Sequence, residues 1–180
     1  VEDKKYKVKV YKKLDDHKNM PQVGVAVLSM SKRIMNEVIC LGEDMNIPVY
    51  YQDTDSMHLR NEDIEKLSNA FTKKYNRQLI GKNMGQFHSD FEIKDKNGDK
   101  IKFEKLYATD SIFLGKKTYC DKLEGIVGKD KEGNDIIVNS YHIRMKGIPN
   151  SCIKYTAKKN KMNVWELYEY LYKGGEIDFD

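Results

Sequence analysis

Histidine and cysteine are scarce in this chain and scattered along it. The 180 residues hold four histidines and three cysteines. Cys40, Cys120 and Cys152 lie far apart with no Cys-x-x-Cys among them, which excludes a paired zinc-ligand set and a disulfide framework. A reducing, intracellular setting is the simpler reading of that usage. The histidines suggest no metal cluster. No apolar run approaches the ~20 residues that a membrane-spanning helix needs, so no membrane role is expected. The start, Val1-Glu2-Asp3-Lys4-Lys5, is charged and unlike a signal peptide. It lacks an initiating Met, as expected of an excised or processed piece. No internal repeat or low-complexity tract is present. The net charge of +4 is modest for a nucleic-acid binder, so any such role depends on where the lysines sit.

Hydrophobic residues make up 39% and charged residues 33%, which predicts a soluble chain able to bury the core of one domain or one and a half. The most informative stretch is Tyr51-Gln52-Asp53-Thr54-Asp55-Ser56. Apolar runs flank it, Ile47-Pro48-Val49-Tyr50 before and Met57-His58-Leu59 after. That pattern predicts strand, tight turn, strand, with two carboxylates at the bend. Clustered carboxylate oxygens are what hard divalent cations require.

Around this hairpin the periodicity predicts further elements. Residues 6–11 alternate as a half-exposed strand, and 14–19 form a polar turn. Pro21 suits the first turn of a helix over 21–44. Val23, Val27, Met30, Ile34, Val38, Leu41 and Met45 would form its buried stripe, laid on the sheet that the hairpin supplies. A second helix is expected at 62–77, with Asn61 as N-cap and Ile64, Leu67, Phe71 and Tyr75 buried. Strands are expected at 86–93, 101–106, 107–114, 118–123 and 136–145. Polar turns separate them at 94–100, centred on Asn97-Gly98, and at 128–135. Lys154, Lys158, Lys159 and Lys161 then read as a solvated loop, or as a phosphate-tracking surface. A short helix follows, opened by the capping-box pair Asn163 and Glu166 and closed by Gly174-Gly175. Such an order gives an α+β fold, an antiparallel or mixed sheet with helices on one face.

The hexapeptide Tyr-x-Asp-Thr-Asp-Ser resembles motif C of the family B DNA polymerases. Three weaker segments point the same way. Lys117-Thr118-Tyr119 resembles the family's Lys-x-Tyr motif, which lies near the primer terminus. Met145-Lys146-Gly147-Ile148-Pro149 looks like a Lys-Gly-Ile-Pro segment that precedes the thumb in viral and organellar members. Pro21-Gln22-Val23-Gly24-Val25, opening a long helix before motif C, resembles the protein-primed branch found in linear phages, plasmids and some viruses. The likeness spans nearly the whole chain, loosely, with one specific anchor.

The resemblance implies a palm over 1–123, with a palm-like antiparallel sheet, and a thumb-like region over 124–180, with β-hairpins and a small helical segment. It implies DNA-directed DNA polymerisation by two-metal nucleotidyl transfer to a primer 3′-hydroxyl in DNA replication. Mg2+ would be the cofactor, with Mn2+ able to substitute. Asp55 would be the firmer metal ligand and Asp53 a nearby catalytic carboxylate. Thr54 and Ser56 would fix the turn and belong to the primer-binding surface. Tyr51, Lys117, Tyr119, Lys146, Lys158 and Lys159 would face primer and template. Partners would be primer-template DNA, deoxynucleotides, a terminal priming protein and the remainder of the polymerase upstream. The family's motif A aspartate, its motif B lysine and its exonuclease carboxylates are not in this sequence, so the chain alone is expected to be inactive. Two other classes fit the residues less well: a non-catalytic nucleic-acid clamp built on the same palm and thumb, and a metal-dependent Asp-x-Asp glycosyltransferase.

Overall fold

A computed structural model describes residues 7–11, 20–95 and 97–179. The chain is α+β, with four helices, a two-stranded hairpin and a three-stranded antiparallel sheet among those residues.

Helix α1 spans Pro21–Asp44 and begins with Pro at its first position, where no backbone N–H is needed. It ends in a Schellman arrangement. Asn46 adopts φ 55°, its N–H donates to Glu43 O at 3.0 Å, and Ile47 N–H donates to Gly42 O at 2.8 Å. Ile47 is buried against the core, the hydrophobic contact that completes such a stop.

The hairpin follows, with β1 at Tyr51–Asp53 and β2 at Ser56–His58 in the register Tyr51↔His58, Gln52↔Met57 and Asp53↔Ser56. Helix α2 spans Asn61–Tyr75, with Glu62 and Asp63 in its first turn and Lys73 and Lys74 in its last, charges that complement the helix dipole. The N-cap is Arg60 rather than Asn61, and no side chain caps it. The Arg60 guanidinium, a donor only, cannot cap; its Nε donates to the Tyr50 hydroxyl at 2.7 Å.

The first core joins these elements. Val38 and Leu41 of α1, Ile47, Leu67 and Phe71 of α2, and Leu79 are buried together, with Met57 and Leu59 packed against them. The expected stripe on α1 is therefore half right. Val23, Val27 and Met30 are exposed, Val27 at 58% and Met30 at 66%. The buried half of α1 packs chiefly on α2, and the hairpin is too short to floor a helix of 24 residues.

The strand expected at 6–11 is not formed in the described part: 7–11 are irregular and exposed. Tyr6 and the turn at 14–19 lie outside the described residues. Residues 86–93 and 101–104 also carry no strand. That segment carries the isolated bridges Ile80↔Phe87 and Lys94↔Lys100, and Glu104 N–H donates to Ile126 O of the main sheet at 2.8 Å. Around the second bridge the Asn97-Gly98 turn is closed by the Asp95 carboxylate, which accepts from Asn97 N and Asp99 N.

The main sheet is a meander of β3 (Lys105–Gly115), β4 (Thr118–Lys129) and β5 (Asp135–Met145), in the order β3-β4-β5. Phe103 lies across Gly125, where any Cβ would run into its ring. Helices α3 (Asn150–Lys159) and α4 (Val164–Tyr172) follow. Together with Cys120 and Ile143 of the sheet, they bury Ile153, Ala157, Val164, Leu167 and Tyr168 in a second core. The Asn163–Glu166 capping box is present on both arms, at 2.9 and 2.7 Å.

Residues 150–159, expected as a lysine-rich loop, are helical because Ile153, Thr156 and Ala157 form a buried stripe at spacings of three and four. The division expected after Leu123 falls inside β4.

Strand alternation gives the sheet two faces. Cys120 and Ile143 point toward α3 and α4, whereas Tyr119 and His142 pack against aromatic rings on the opposite side, Tyr119 against the hairpin's Tyr51 and His58. The hairpin thus docks on the face away from α3 and α4.

Candidate functional site

Two tight turns meet at one edge of this second face. The hairpin turn is Thr54-Asp55, and Thr54 sits at φ 41°, where a β-branched residue is strained. Side-chain bonds hold it: Thr54 Oγ1 donates to Asp53 Oδ1 at 3.1 Å, and Ser56 Oγ donates to Asp53 O at 3.1 Å. The β3–β4 turn is Lys116-Lys117, with Lys117 at φ 61°.

Lys117 is the meeting point. Its backbone N–H donates to the Tyr51 hydroxyl at 2.7 Å, and its carbonyl accepts from Lys146 N at 3.1 Å. Its ammonium lies 2.7 Å from Asp53 Oδ2. The ammonium of Lys117 holds the Asp53 carboxyl below the usual carboxylate range, with help from Thr54. In return Asp53 raises the Lys117 ammonium above its ordinary value. Asp55 is exposed beside this pair.

Tyr51 is seated by rings. It stacks on Phe113 with centroids 5.1 Å apart and planes 2° apart, and Tyr119 leans on it at 5.0 Å. Burial pushes the Tyr119 phenol upward, so it stays neutral. Lys146 precedes Gly147 at φ 94° in the turn that leads to α3.

Together Asp53, Lys117, Tyr119, Arg144, Met145, Lys146 and Asn150 line a cleft of about 340 Å³. Three cations converge there on one edge, with an aromatic wall and the first residue of α3. A helix N-terminus adds positive character at that point. Such a surface suits an anionic chain such as a phosphodiester.

Of the residues singled out in the sequence, Tyr51, Asp53, Thr54, Asp55, Ser56, Lys117, Tyr119 and Lys146 are brought together. Lys158 and Lys159 are not. They occupy the last turn of α3, about 12 Å along its axis from Asn150 at a rise of ~1.5 Å per residue.

Arg144 was missed. Its signal was the alternation Arg144-Met145-Lys146 at a strand end, which puts both cations on one side. Asp121, buried behind the cleft, and His58 and His142, part-buried beside it, were missed too, because their spacing in sequence is 63 and 21 residues and only the β4–β5 register and the docking of the hairpin unite them.

Among the described residues no group of three His, Cys, Asp or Glu side chains is arranged to hold a metal ion. The donor chemistry of Asp53 and Asp55 nonetheless suits a hard cation, and Asp53 already attracts one in the Lys117 ammonium. No protein-family model, no curated protein and no solved structure matches this chain.

Proposed function

We propose that the chain is part of a DNA-directed DNA polymerase, carrying one half of a two-metal nucleotidyl-transfer centre and the primer-side surface beside it. One observation carries this reading. Three segments that resemble polymerase motifs are separated by 66 and 29 residues in sequence, yet they join at Lys117 through its N–H, its carbonyl and its ammonium. A shared nucleic-acid site gives a reason for that convergence.

In this reading Asp53 and Asp55 would help hold Mg2+, which would supply positive charge to phosphate oxygens at the site. The metal would lower the barrier by neutralising charge on attacking and leaving oxygens. A further carboxylate, outside the described residues or on another chain, completes the ligand set. Lys117 has two tasks. It neutralises Asp53 when no metal is bound, and it turns to a primer phosphate when one is. Arg144 and Lys146 hold backbone phosphates, and Tyr119 packs beside the sugar. Lys158 and Lys159 contact duplex farther along α3.

A clamp without chemistry is the second reading, favoured by the same Lys117–Asp53 pair, since a carboxylate engaged by an ammonium is a poorer metal ligand.

The test is binding of a fluorescein-labelled primer-template, followed by anisotropy across salt concentrations, with and without Mg2+. Steep salt dependence, with binding that Mg2+ tightens at fixed salt, supports the polymerase reading. Steep salt dependence indifferent to Mg2+ supports the clamp. Absence of binding at low salt overturns both.

A further inference from the structure

Behind the cleft lies a second cluster that the proposed chemistry does not use. Asp121 follows Tyr119 by two residues on β4, so it leaves the strand on the hairpin's side. It is fully buried, at 0% exposure. Ser111 of β3, its cross-strand partner, donates Oγ–H to Oδ1 at 2.7 Å. His142 of β5, its partner on the other side, brings Nδ1 to 3.3 Å from Oδ2. His58 arrives from β2, which belongs to the other sheet, and its Nε2 stands 3.4 Å from both carboxylate oxygens. Rings close the cluster. His58 meets Tyr51, Phe113 and Tyr119 edge-on at 5.0 to 5.5 Å, and His142 meets Phe91 and Tyr119 likewise.

A carboxylate without water is costly unless polar groups surround it. Here two strands and the hairpin each contribute one. An ionised carboxylate only accepts hydrogen bonds. The ring nitrogen that bonds to it, Nε2 of His58, must therefore carry hydrogen. His58 Nδ1 and both nitrogens of His142 are buried without a hydrogen-bond partner, so His142 lies beside Asp121 as a close polar contact while His58 Nε2 makes the hydrogen bond. Asp121 is the one hydrogen-bond partner of the His58 ring among the described contacts, and it orients that imidazole within its aromatic surround. His58 Nε2 is also the one polar side-chain link from β2 to the sheet among the described contacts.

We infer that Asp121 is a positioning residue: it clamps His58 of the Asp53–Asp55 hairpin onto β4 and β5 and thereby sets how far those carboxylates stand from Lys117 and Arg144. Asp53 tethers the turn end of the hairpin to the Lys117 ammonium, and the Tyr51 hydroxyl reaches the Lys117 N–H from the open end. Asp121 tethers that open end through His58, directly opposite Tyr51 in the β1–β2 register. With both ends fixed, the hairpin cannot rock against the cleft. The clamp stands on geometry alone; its consequence for catalysis rests on the proposed function.

Two measurements on this chain test it. Long-range ¹H–¹⁵N spectra of the imidazoles read the tautomer directly. The wild type should show His58 with hydrogen on Nε2, and a mixed His58 tautomer in the wild type would overturn the inference without any variant. Amide hydrogen exchange is then compared between the wild type and Asp121→Asn, which keeps the shape and removes the charge. Exchange at Asp53, Ser56 and His58, the ladder amides of the hairpin, should speed up roughly tenfold or more, while amides of α4 keep their protection. Unchanged hairpin exchange, or equal loss of protection in α4, would show that Asp121 does not position the hairpin. Failure to bind primer-template would overturn the proposed function and leave these readouts untouched.

Discussion

The hydroxyl of Tyr51 accepts a 2.7 Å hydrogen bond from the backbone N–H of Lys117, 66 residues later. This bond joins the hairpin turn to the β3–β4 turn. It also satisfies a donor that the left-handed conformation of Lys117 turns away from the sheet ladder. Because the Tyr51 ring is stacked on Phe113 and flanked by Tyr119, the hydroxyl reaches Lys117 already oriented. A tyrosine preceding the first aspartate by two residues is thus a strut for the site.

Tyr51→Phe keeps the stacked ring and deletes only this strut. A part-buried N–H is left unpaired, at a cost of about 1 kcal/mol. The urea midpoint should fall accordingly, with the slope of the transition unchanged. An unchanged midpoint would mean that water replaces the phenol without loss.

Lys117→Met removes the ammonium beside Asp53. The Asp53 carboxyl should move up toward the ordinary range, since Lys117 is the main cause of its low value. The folded value lies below the unfolded one, so the pair contributes above the ordinary carboxylate pKa and is lost as pH falls through the folded value. That acid-side loss should vanish in the variant. The carboxylate is also freed for a metal, so Mn2+ should broaden the Asp53 and Asp55 resonances at lower concentration than in wild type. Carboxyl ¹³C titration and Mn2+ broadening check both outcomes; a Mn2+ response unchanged from wild type would mean that Lys117 does not compete for Asp53.

The hairpin and helices α1, α2 and α4 were legible because each is specified locally. Apolar runs bracket Asp53-Thr54-Asp55, α1 begins at Pro21, and Asn163 and Glu166 cap α4. What was not legible depends on partners remote in sequence. Val23, Val27 and Met30 fit a buried stripe but have no described element against them. Residues 150–159 carry five lysine, serine and asparagine side chains that mask a three-residue stripe, buried only because β5 and α4 lie beneath it. In the site, the motif residues were visible as residue types. Arg144 and the Asp121 cluster became visible only through the β4–β5 register, which aligns Tyr119 with Arg144 and Asp121 with His142.

Arg144→Ala and Lys146→Ala should each weaken primer-template binding about equally across sequences, because phosphates carry no base information. Each should reduce the slope of log K against log salt by roughly 1. The paired variant Lys158→Ala, Lys159→Ala should lower the slope only if the duplex extends along α3. Loss of sequence preference without a change of slope would place Arg144 and Lys146 on base edges.

Acid should release the hairpin through Asp121. Burial alone would raise this carboxyl, but contacts from His142, His58 and Ser111 outweigh it and hold the group well below the usual range. The folded value is therefore the lower one. Asp121 contributes its full share of stability above the ordinary carboxylate pKa, about 4, and loses it progressively as pH drops further. The other groups facing it are Ser111, which does not titrate, the two imidazoles, and Tyr119, whose phenol is neutral throughout that window. Wild type should lose unfolding free energy as pH falls from about 4 to about 2, and Asp121→Asn should lose less over the same interval. The two curves should converge at the acid end, where the wild-type carboxyl is itself becoming neutral. Urea midpoints across this range give both curves; parallel curves would mean that the Asp121 charge does not hold the hairpin and the sheet together.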